Sequence, residues 1–290
     1  MSDTTIRIEG ADGNVIVADR YGDRNAPLVL LLHGGGQTRH SWRRTAEALV
    51  RRGFHAVVYD HRGHGDSDWV ASGRYELPDF AADLSAVVRH LDPRSAPALV
   101  GASLGGLTSM TAVGAGILDP VSAIVLADVV HRANPEGAGQ LRGFMDANPD
   151  GYASLEDAAS AIEQHMPHRG GRRNLEGLAR NLRQRPDGRW HWHWDPAFMN
   201  RRRAEGQRFG DGSPELLEAI TRIRVPLLLA RGEQSEIVTP ALAAEFRALL
   251  PASDYVELAG VGHMVAGDDN APFTQVLADY LENHCRGEKR

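Results

Sequence analysis

The chain has 290 residues, of which 42% are hydrophobic and 24% are charged, and its formal net charge is −6. This composition is typical of a globular protein, and the acidic balance argues against a nucleic-acid surface, which needs clustered Lys and Arg. The first ten residues lack the basic and apolar regions of a signal peptide, and no apolar run reaches the roughly 18–20 residues of a membrane helix. Because the single cysteine, Cys285, allows no intrachain disulfide, we expect a cytoplasmic protein that does not act at a membrane.

The elements predicted along the chain alternate between strands and helices. Two short alternating segments at 5–9 and 15–20 predict a hairpin. The later strands are predicted at 27–32, 54–59, 98–101, 122–127, 225–230 and 254–258. The helices are predicted at 38–52, 77–91, 104–117, 240–250 and 272–283. Such alternation predicts an α/β fold with a mostly parallel central sheet flanked by helices.

Residues 131–214 interrupt this alternation. They are rich in Arg, Gly, Asn, Asp and Pro, and their helix-like pieces lie at 139–147, 155–165 and 174–183, with no apolar strand between them. We interpret this segment, called the cap below, as a mainly helical insertion that covers one end of the sheet. The core then consists of residues 1–130 and 215–290.

The sequence Gly-Ala-Ser-Leu-Gly at 101–105, called the elbow below, lies between a predicted strand and a predicted helix. A sharp strand-to-helix turn holds its serine in strained backbone geometry, so the residues two before and two after it must be small. The turn exposes the hydroxyl at the carboxyl end of the strand, where the helix N-terminus favours negative charge. This pattern predicts Ser103 as a nucleophile, and a serine nucleophile needs a general base.

A second glycine-rich segment, His-Gly-Gly-Gly at 33–36, follows the strand predicted at 27–32. Glycines allow backbone N–H groups to approach a developing oxyanion, and each such donor contributes about 3–4 kcal/mol to the transition state. The expected donors are Gly35, with Gly36 as an alternative, and Leu104, which follows the nucleophile. No Gly-Lys-Ser/Thr follows this oxyanion loop, so a P-loop is excluded.

In chain order, the oxyanion loop, Asp-His-Arg-Gly-His-Gly-Asp-Ser at 60–67, the elbow and Gly-Val-Gly-His at 260–263 resemble motifs of the α/β-hydrolase superfamily. Within this superfamily, the chain is similar to small bacterial serine esterases and peroxidase-like hydrolases with a helical cap. The resemblance covers nearly the whole core and implies the α/β-hydrolase fold. It implies His263 as the general base, and for residues 60–67 it implies a structural turn in which His61 and His64 pack.

The resemblance fixes the third catalytic residue less closely. In the family, the catalytic acid lies in the loop that follows the strand predicted here at 225–230. The common Gly-x-x-Asp pattern, counted from Gly232, places the acid at position 235, but Ser235 has no carboxylate. In the subgroup the loop resembles Arg-Gly-x-x-Ser-Asp, which aligns Glu236 with the aspartate. We therefore expect Glu236 to orient His263. The alternatives are Asp128, which follows the strand at 122–127, and Glu233.

Three tryptophans of the cap alternate with histidines, at Trp190, Trp192 and Trp194. In an extended segment they share one face, and they either line an apolar substrate pocket above Ser103 or form a small core of the cap. The neighbouring histidines have no carboxylate or cysteine partners at ligand spacing. We therefore expect no metal site and no cofactor.

The identity of the nucleophile narrows the reaction. Epoxide hydrolases and haloalkane dehalogenases resemble this chain but carry Asp at the elbow, whereas Ser103 favours acyl transfer to water. We expect a serine hydrolase that cleaves a carboxylic ester, thioester or lactone of a small apolar molecule through an acyl-enzyme. The alternatives are hydrolysis of a C–C bond in a diketone-like compound, perhydrolysis, and a hydrolase homologue that binds a ligand without turnover.

Overall fold

The computed structural model describes residues 4–165, 175–179, 181–199, 210–263 and 271–285. The strands of these residues are β1 (Thr4–Glu9), β2 (Val15–Tyr21), β3 (Leu28–Leu32), β4 (His55–Tyr59), β5 (Ala98–Ala102), β6 (Ala123–Ala127), β7 (Leu182–Gln184), β8 (Trp190–Trp192), β9 (Leu227–Gly232) and β10 (Asp254–Leu258). The helices are α1 (Arg43–Arg51), α2 (Leu77–Leu91), α3 (Leu104–Gly114), α4 (Pro135–Asp146), α5 (Leu155–His165), α6 (Leu175–Ala179), α7 (Pro196–Met199), α8 (Pro214–Thr221), α9 (Pro240–Leu249) and α10 (Ala271–Cys285), and a 3-10 turn (Arg39–Trp42) precedes α1.

Eight strands form one sheet in the order β1-β2-β4-β3-β5-β6-β9-β10. The pairs β1–β2 and β2–β4 are antiparallel, and all other pairs of this sheet are parallel. Every residue of β3, β4, β5, β6 and β9 is buried. A parallel sheet covered on both faces has this burial pattern, and the predicted fold class is confirmed.

The sheet separates two apolar cores. Leu28, Leu30 and Leu32 of β3 pack in one core with α2, α3, α8 and α9, while Val29 and Leu31 pack in the other with α1 and α10. Successive side chains of a strand point to opposite faces, so β3 contributes side chains to both cores. Burial of each such side chain contributes about 1.5–3 kcal/mol. None of the helices in the described ranges has the length and apolar character that a membrane crossing requires.

The cap differs from the prediction in one element. Between β6 and β9 the described residues form helices α4–α8, but also the antiparallel hairpin β7–β8, which pairs Leu182 with Trp192. The cap is thus mainly helical, as predicted, and the short β7–β8 hairpin is an addition to that prediction. The helix predicted at 174–183 covers only Leu175–Ala179 among the described residues, and Asn174 and Arg180 lie outside them. The alternation of aromatic and polar residues at 190–194 has the period of a strand, which explains the difference.

The turn at 60–67 fastens the end of β4 beside the oxyanion loop. The buried carboxylate of Asp60 accepts hydrogen bonds from the guanidinium and backbone N–H of Arg39 and from the N–H of Asp66. Ser67 Oγ donates to the Asp60 carbonyl at 2.6 Å. Gly65 has a φ of +55°, and a Cβ there would lie 2.2 Å from the Asp60 carboxylate. These contacts give the turn the packing role that the resemblance implies.

Candidate active site

The elbow connects β5 directly to α3. Ser103 lies between them with φ +45° and ψ −113°, a conformation that non-glycine residues rarely adopt. A Cβ on Gly101 would lie 2.4 Å from backbone atoms of Gly105 and Gly106, and one on Gly105 would lie 2.3 Å from the Leu32 carbonyl oxygen. The turn therefore requires glycine at both positions, as the sequence pattern predicts.

The imidazole of His263, which follows β10, is held by a carboxylate. Its Nδ1 lies 2.7 Å from Oδ2 of Asp128. Because an ionised carboxylate only accepts, Nδ1–H donates this hydrogen bond and Nε2 keeps its lone pair. An imidazole in this tautomer can take a proton at Nε2. Ser103 and His263 line the same cavity.

Asp128 lies at the carboxyl end of β6 and is fully buried. Its Oδ1 accepts from the N–H of Gly232 at 2.9 Å, and its Oδ2 accepts from Ser235 Oγ at 2.5 Å as well as from His263. Its backbone φ is +51°, a left-handed conformation that Asp tolerates better than most residues. The carboxylate is thus fixed at a strained residue by contacts from β9 and from the loop that follows β9.

The structure corrects the expectation that Glu236 orients His263. Glu236 is exposed, and its carbonyl accepts a hydrogen bond from Asn134 Nδ2 at 3.1 Å. The preceding Ser235 turns inward instead, where its hydroxyl also accepts from the N–H groups of Ile237 and Val238. This inward turn leaves Glu236 on the outer side of the loop. Glu233, the other alternative in this loop, is also exposed, and its Oε2 accepts from the N–H of Gly260.

Of the two expected oxyanion donors, Leu104 lies in the elbow and Gly35 lies in the oxyanion loop. Leu104 is the first residue of α3, so its N–H has no acceptor within the helix. Gly35 lines the cavity, and a Cβ on it would lie 3.3 Å from Cζ of Phe198 in the cap. The neighbouring Gly34 lies against the elbow, since a Cβ there would be 3.4 Å from the Cβ of Ser103. The oxyanion loop therefore approaches the elbow closely, as its glycines predict.

Buried histidines support this loop. His33 Nε2 accepts from the N–H of His61, and its Nδ1 donates to the Gly34 carbonyl at 2.8 Å. From the cap, His193 accepts from the N–H of Gly65 at 2.7 Å, while its Nε2 lies 3.3 Å from the carbonyl of Gly36. Burial lowers the pKa of His33 to about 4 and holds the pKa of His193 well below the ordinary value. Both rings are therefore neutral at pH 7 and act as fixed hydrogen-bonding groups.

The cavity at the elbow has a volume of about 570 Å³, within the usual range for small-molecule sites. Its lining residues near the elbow are Gly35, Ser103, Leu104, Asp128 and His263. It continues between α3, α4 and α8. The five residues that a triad and an oxyanion hole would need thus meet at one wall of a concave site.

The tryptophans predicted as pocket residues do not line this cavity. Trp194 is buried against the oxyanion loop, where a Cβ on Gly36 would lie 3.1 Å from its ring, and Trp192 stacks on it with ring centroids 4.8 Å apart. Trp190 packs with Tyr152 and the β7–β8 hairpin. The pocket assignment is therefore wrong for this cavity. The alternative, a small core of the cap, describes the packing of Trp190, whereas Trp194 packs between the cap and the main core.

Sequence reasoning missed the residues that do line the cavity from the cap and from α8. These include Met145, Phe198, Leu216 and Ala219. An apolar residue on a short helix carries no signal that separates pocket lining from ordinary core. The contact of Ser235 with Asp128 was also missed. The signal for it was the position of Ser235, which is the family's usual position for the acid.

The chain is similar to known hydrolases in sequence and in fold. A family model described as the α/β-hydrolase fold matches residues 27–269. Esterase Rv0045c of Mycobacterium tuberculosis is 30% identical over 95% of this chain and 89% of that protein, and its crystal structure superposes with a TM-score of 0.74 at 28% identity, covering 96% and 92% of the two chains. The 3-hydroxybutyrate-oligomer hydrolase of Cupriavidus necator is 26% identical over 84% of this chain and 85% of that protein.

A third likeness concerns the fold alone. The crystal structure of E-2-(acetamidomethylene)succinate hydrolase has a TM-score of 0.79 at 21% identity and covers 96% of this chain and 99% of that one. The names of the relatives, esterase and hydrolase, support hydrolase activity here. With the family match over most of its length, this chain belongs to the α/β-hydrolase fold family.

Proposed function

We propose that this protein is a serine hydrolase that cleaves a carboxylic ester, or a thioester or lactone, of a small apolar molecule. The observation that carries the proposal is the hydrogen bond from His263 Nδ1 to Asp128, in a cavity that Ser103 also lines at a strained elbow. A nucleophile, a base and an orienting carboxylate from three strand ends are the groups that acyl transfer needs.

In the proposed reaction, Ser103 Oγ attacks the carbonyl carbon of the ester while its proton passes to His263 Nε2. The negative charge develops on the carbonyl oxygen, where the N–H groups of Gly35 and Leu104 donate to it. Asp128 stabilises the imidazolium through Nδ1–H. The intermediate then expels the alcohol, which takes the proton from Nε2 and leaves an acyl-enzyme on Ser103.

Water completes the cycle. His263 Nε2 takes a proton from a water molecule, whose oxygen attacks the acyl carbon. The second tetrahedral intermediate collapses, the carboxylic acid leaves, and Ser103 Oγ regains its proton from the imidazolium. The buried, hydrogen-bonded position of Asp128 supports this role, because an orienting group must not move while His263 changes charge.

The nucleophile is tested by replacing Ser103 with Ala. We expect the variant to lose hydrolysis of p-nitrophenyl acetate and labelling by a fluorophosphonate. Ser109→Ala is the matched control, because Ser109 lies on the same helix and its buried hydroxyl only donates to the Gly105 carbonyl. Unchanged labelling of the Ser103 variant would refute the proposal, and tight binding of esters without turnover would instead indicate a ligand-binding protein.

A further inference from the structure

The cavity extends beyond the elbow along one side of α3. It is lined there by Leu104, Leu107, Thr111 and Ala115, whose spacing of three and four residues places them on one face of the helix. At 1.5 Å per residue, the stripe from Leu104 to Ala115 is about 16 Å long. A channel of this length therefore begins beside Ser103 and follows α3 to its end.

Helix α8 approaches α3 near the far end of the channel. A Cβ on Gly114 would lie 2.1 Å from the carbonyl oxygen of Ala219, so the two helices touch where the stripe ends. Leu216 and Ala219 line the cavity from the side of α8, and Ala138 and Leu141 line it from α4. The backbone contact between α3 and α8 therefore narrows the space at Gly114, and the exposed Ala115 beyond it marks the far opening of the cavity.

The interior of the channel is largely apolar. Its buried polar side chains away from the triad are Thr111 and His131, whose Oγ1 and Nδ1 have no hydrogen-bond partner among the described residues. The buried apolar residues that line it away from the triad include Val129, Val130, Ala138, Met145, Leu216 and Ala219. His131 is bonded to Glu245 through Nε2 at 2.9 Å. The charged lining residues Glu76, Arg132 and Glu215 are exposed, so they lie at openings of the cavity. A charged substrate tail inside the channel would lose its hydration without an opposite charge, whereas a hydrocarbon chain would not.

We infer that this channel binds the acyl chain of straight-chain carboxylic esters of medium length, about eight to twelve carbons. An extended hydrocarbon chain advances about 1.3 Å per carbon, so the stripe on α3 accommodates about twelve carbons. The inference rests on the proposed function, since it assigns the substrate class of the same site. Each further methylene that enters the channel should raise kcat/KM by at most about fourfold.

The first test uses the wild-type protein and p-nitrophenyl esters with acyl chains of two to sixteen carbons. We expect kcat/KM to rise at least tenfold from the acetate to chains of eight to twelve carbons, and to rise no further for longer chains. A flat profile, or a maximum at two carbons, would overturn the inference. A chain-length effect in the alcohol part of acetate esters, without one in the acyl part, would also overturn it.

Two variants then test where the acyl chain of the substrate lies. Leu107→Trp fills the channel one turn from the elbow, so the optimum should move to four carbons or fewer. Ala219→Phe fills the far end, so the optimum should move to about six to eight carbons. Leu217→Phe is the control, because Leu217 lies on the same helix but is 40% exposed and does not line the cavity. Identical profiles for all three variants would contradict the assignment.

A binding measurement keeps the test independent of how the variants fold. Straight-chain alkylboronic acids should inhibit acetate hydrolysis by the wild type with a Ki that falls at least tenfold from one to eight carbons, and a Ki that does not depend on length would overturn the inference. The two proposals fail differently. If acetate hydrolysis depends on Ser103 but the protein shows no preference for acyl-chain length, only the acyl-channel inference is refuted. If no ester is hydrolysed and the protein is not labelled, both the acyl channel and the proposed function are refuted.

Discussion

Asp128 carries the geometry on which the proposed mechanism depends. It accepts from the N–H of Gly232, from Ser235 Oγ and from His263 Nδ1. A neutral amide at this position presents an N–H₂ group as readily as an oxygen, and a ring that accepts from it at Nδ1 holds its proton at Nε2. The imidazole would then be in the wrong tautomer to receive a proton from Ser103.

We therefore predict that Asp128→Asn lowers kcat for p-nitrophenyl acetate by about 10³–10⁴-fold. The folded state is checked by circular dichroism, since the change keeps the shape of the side chain. Glu236→Gln is the matched control, and because Glu236 is exposed its kcat should stay within about twofold of the wild type. A large loss in the Glu236 variant and a small one in the Asp128 variant would restore Glu236 as the acid.

Ser235 offers a second test of the same geometry. Its hydroxyl lies 2.5 Å from Oδ2 of Asp128, the oxygen that His263 contacts. A carboxylate at 235 would therefore lie near the position that Asp128 leaves. We predict that Asp128→Asn/Ser235→Asp recovers at least tenfold in kcat over Asp128→Asn alone, measured with the same ester. Asp128→Asn/Ser235→Asn supplies the same shape without the charge and should recover nothing.

These residues show which parts of the site could be predicted from sequence. Ser103 and its glycines could be predicted because every contact that demands them lies within the elbow or on the adjacent β3. The acid could not, because β6 and β9 are neighbours in the sheet and either strand end can supply a carboxylate to His263. The choice depends on which way one loop turns, and the inward turn of Ser235 is a tertiary contact.

At the scale of elements, β5, α3 and β3 are closely packed at their junction beside the site. Gly105 lies in the first turn of α3, and a Cβ there would lie 2.3 Å from the Leu32 carbonyl oxygen and 2.6 Å from its Cβ. Both atoms belong to a central strand that is buried on each side. Neither helix nor strand can move away without disturbing the sheet.

We predict that Gly105→Ala lowers the free energy of unfolding by at least about 2 kcal/mol, because the methyl group overlaps a fixed backbone. Gly143→Ala is the matched control, since Gly143 is also in a helix and a Cβ there would meet nothing within 4 Å. It should raise the free energy of unfolding by about 0.5–1 kcal/mol through helix propensity. Urea unfolding measures both changes, and equal effects would contradict the steric argument.

The cap shows the limit of pattern reading for whole elements. The alternation at residues 190–194 predicts an extended segment, and Trp190–Trp192 is indeed a strand. What the tryptophans contact follows from how the hairpin β7–β8 packs on the rest of the protein, and Trp194 packs on the oxyanion loop rather than in the substrate cavity. Periodicity assigns residues to a face, but only the tertiary fold decides what that face touches.

At the scale of the whole molecule, histidines join the cap to the core. His33, His61 and His64 from two core loops lie together, with the ring centroids of His33 and His61 4.5 Å apart, and His193 of the cap lies 5.8 Å from His64. Among the described residues, neither ring nitrogen of His61 has a hydrogen-bond partner. Burial lowers the pKa of His33 to about 4 and the pKa of His61 and His193 well below their ordinary value. Protonation of any of these rings would place an unpaired charge in this seam.

This cluster predicts a particular pH dependence of stability. Between about pH 6.5, where a histidine titrates in the unfolded chain, and about pH 4, the pKa of His33 in the folded protein, the unfolded state binds more protons. The free energy of unfolding therefore falls as the pH drops from about 6.5 towards 4, by up to about 1.4 kcal/mol per pH unit for each such ring. Above about pH 7 these rings are neutral in both states, so they do not make the free energy of unfolding depend on pH.

Replacing one histidine ring by a group that does not titrate should remove the contribution of that ring to the slope of the free energy of unfolding against pH. We predict that His61→Phe, which keeps an aromatic ring against Tyr59 and Phe80, makes the fall between pH 6.5 and 5 shallower by about 1 kcal/mol per pH unit. Urea unfolding at pH 7.5, 6.5, 5.8 and 5.0 measures the slope independently of any loss in absolute stability from the larger ring. His90→Gln, at an exposed position of α2, should leave the slope unchanged. If His61→Phe keeps the wild-type slope, the buried rings do not cause the loss of stability in acid, and the carboxylates that pair with arginine, such as Asp66 beside Arg39, become its source.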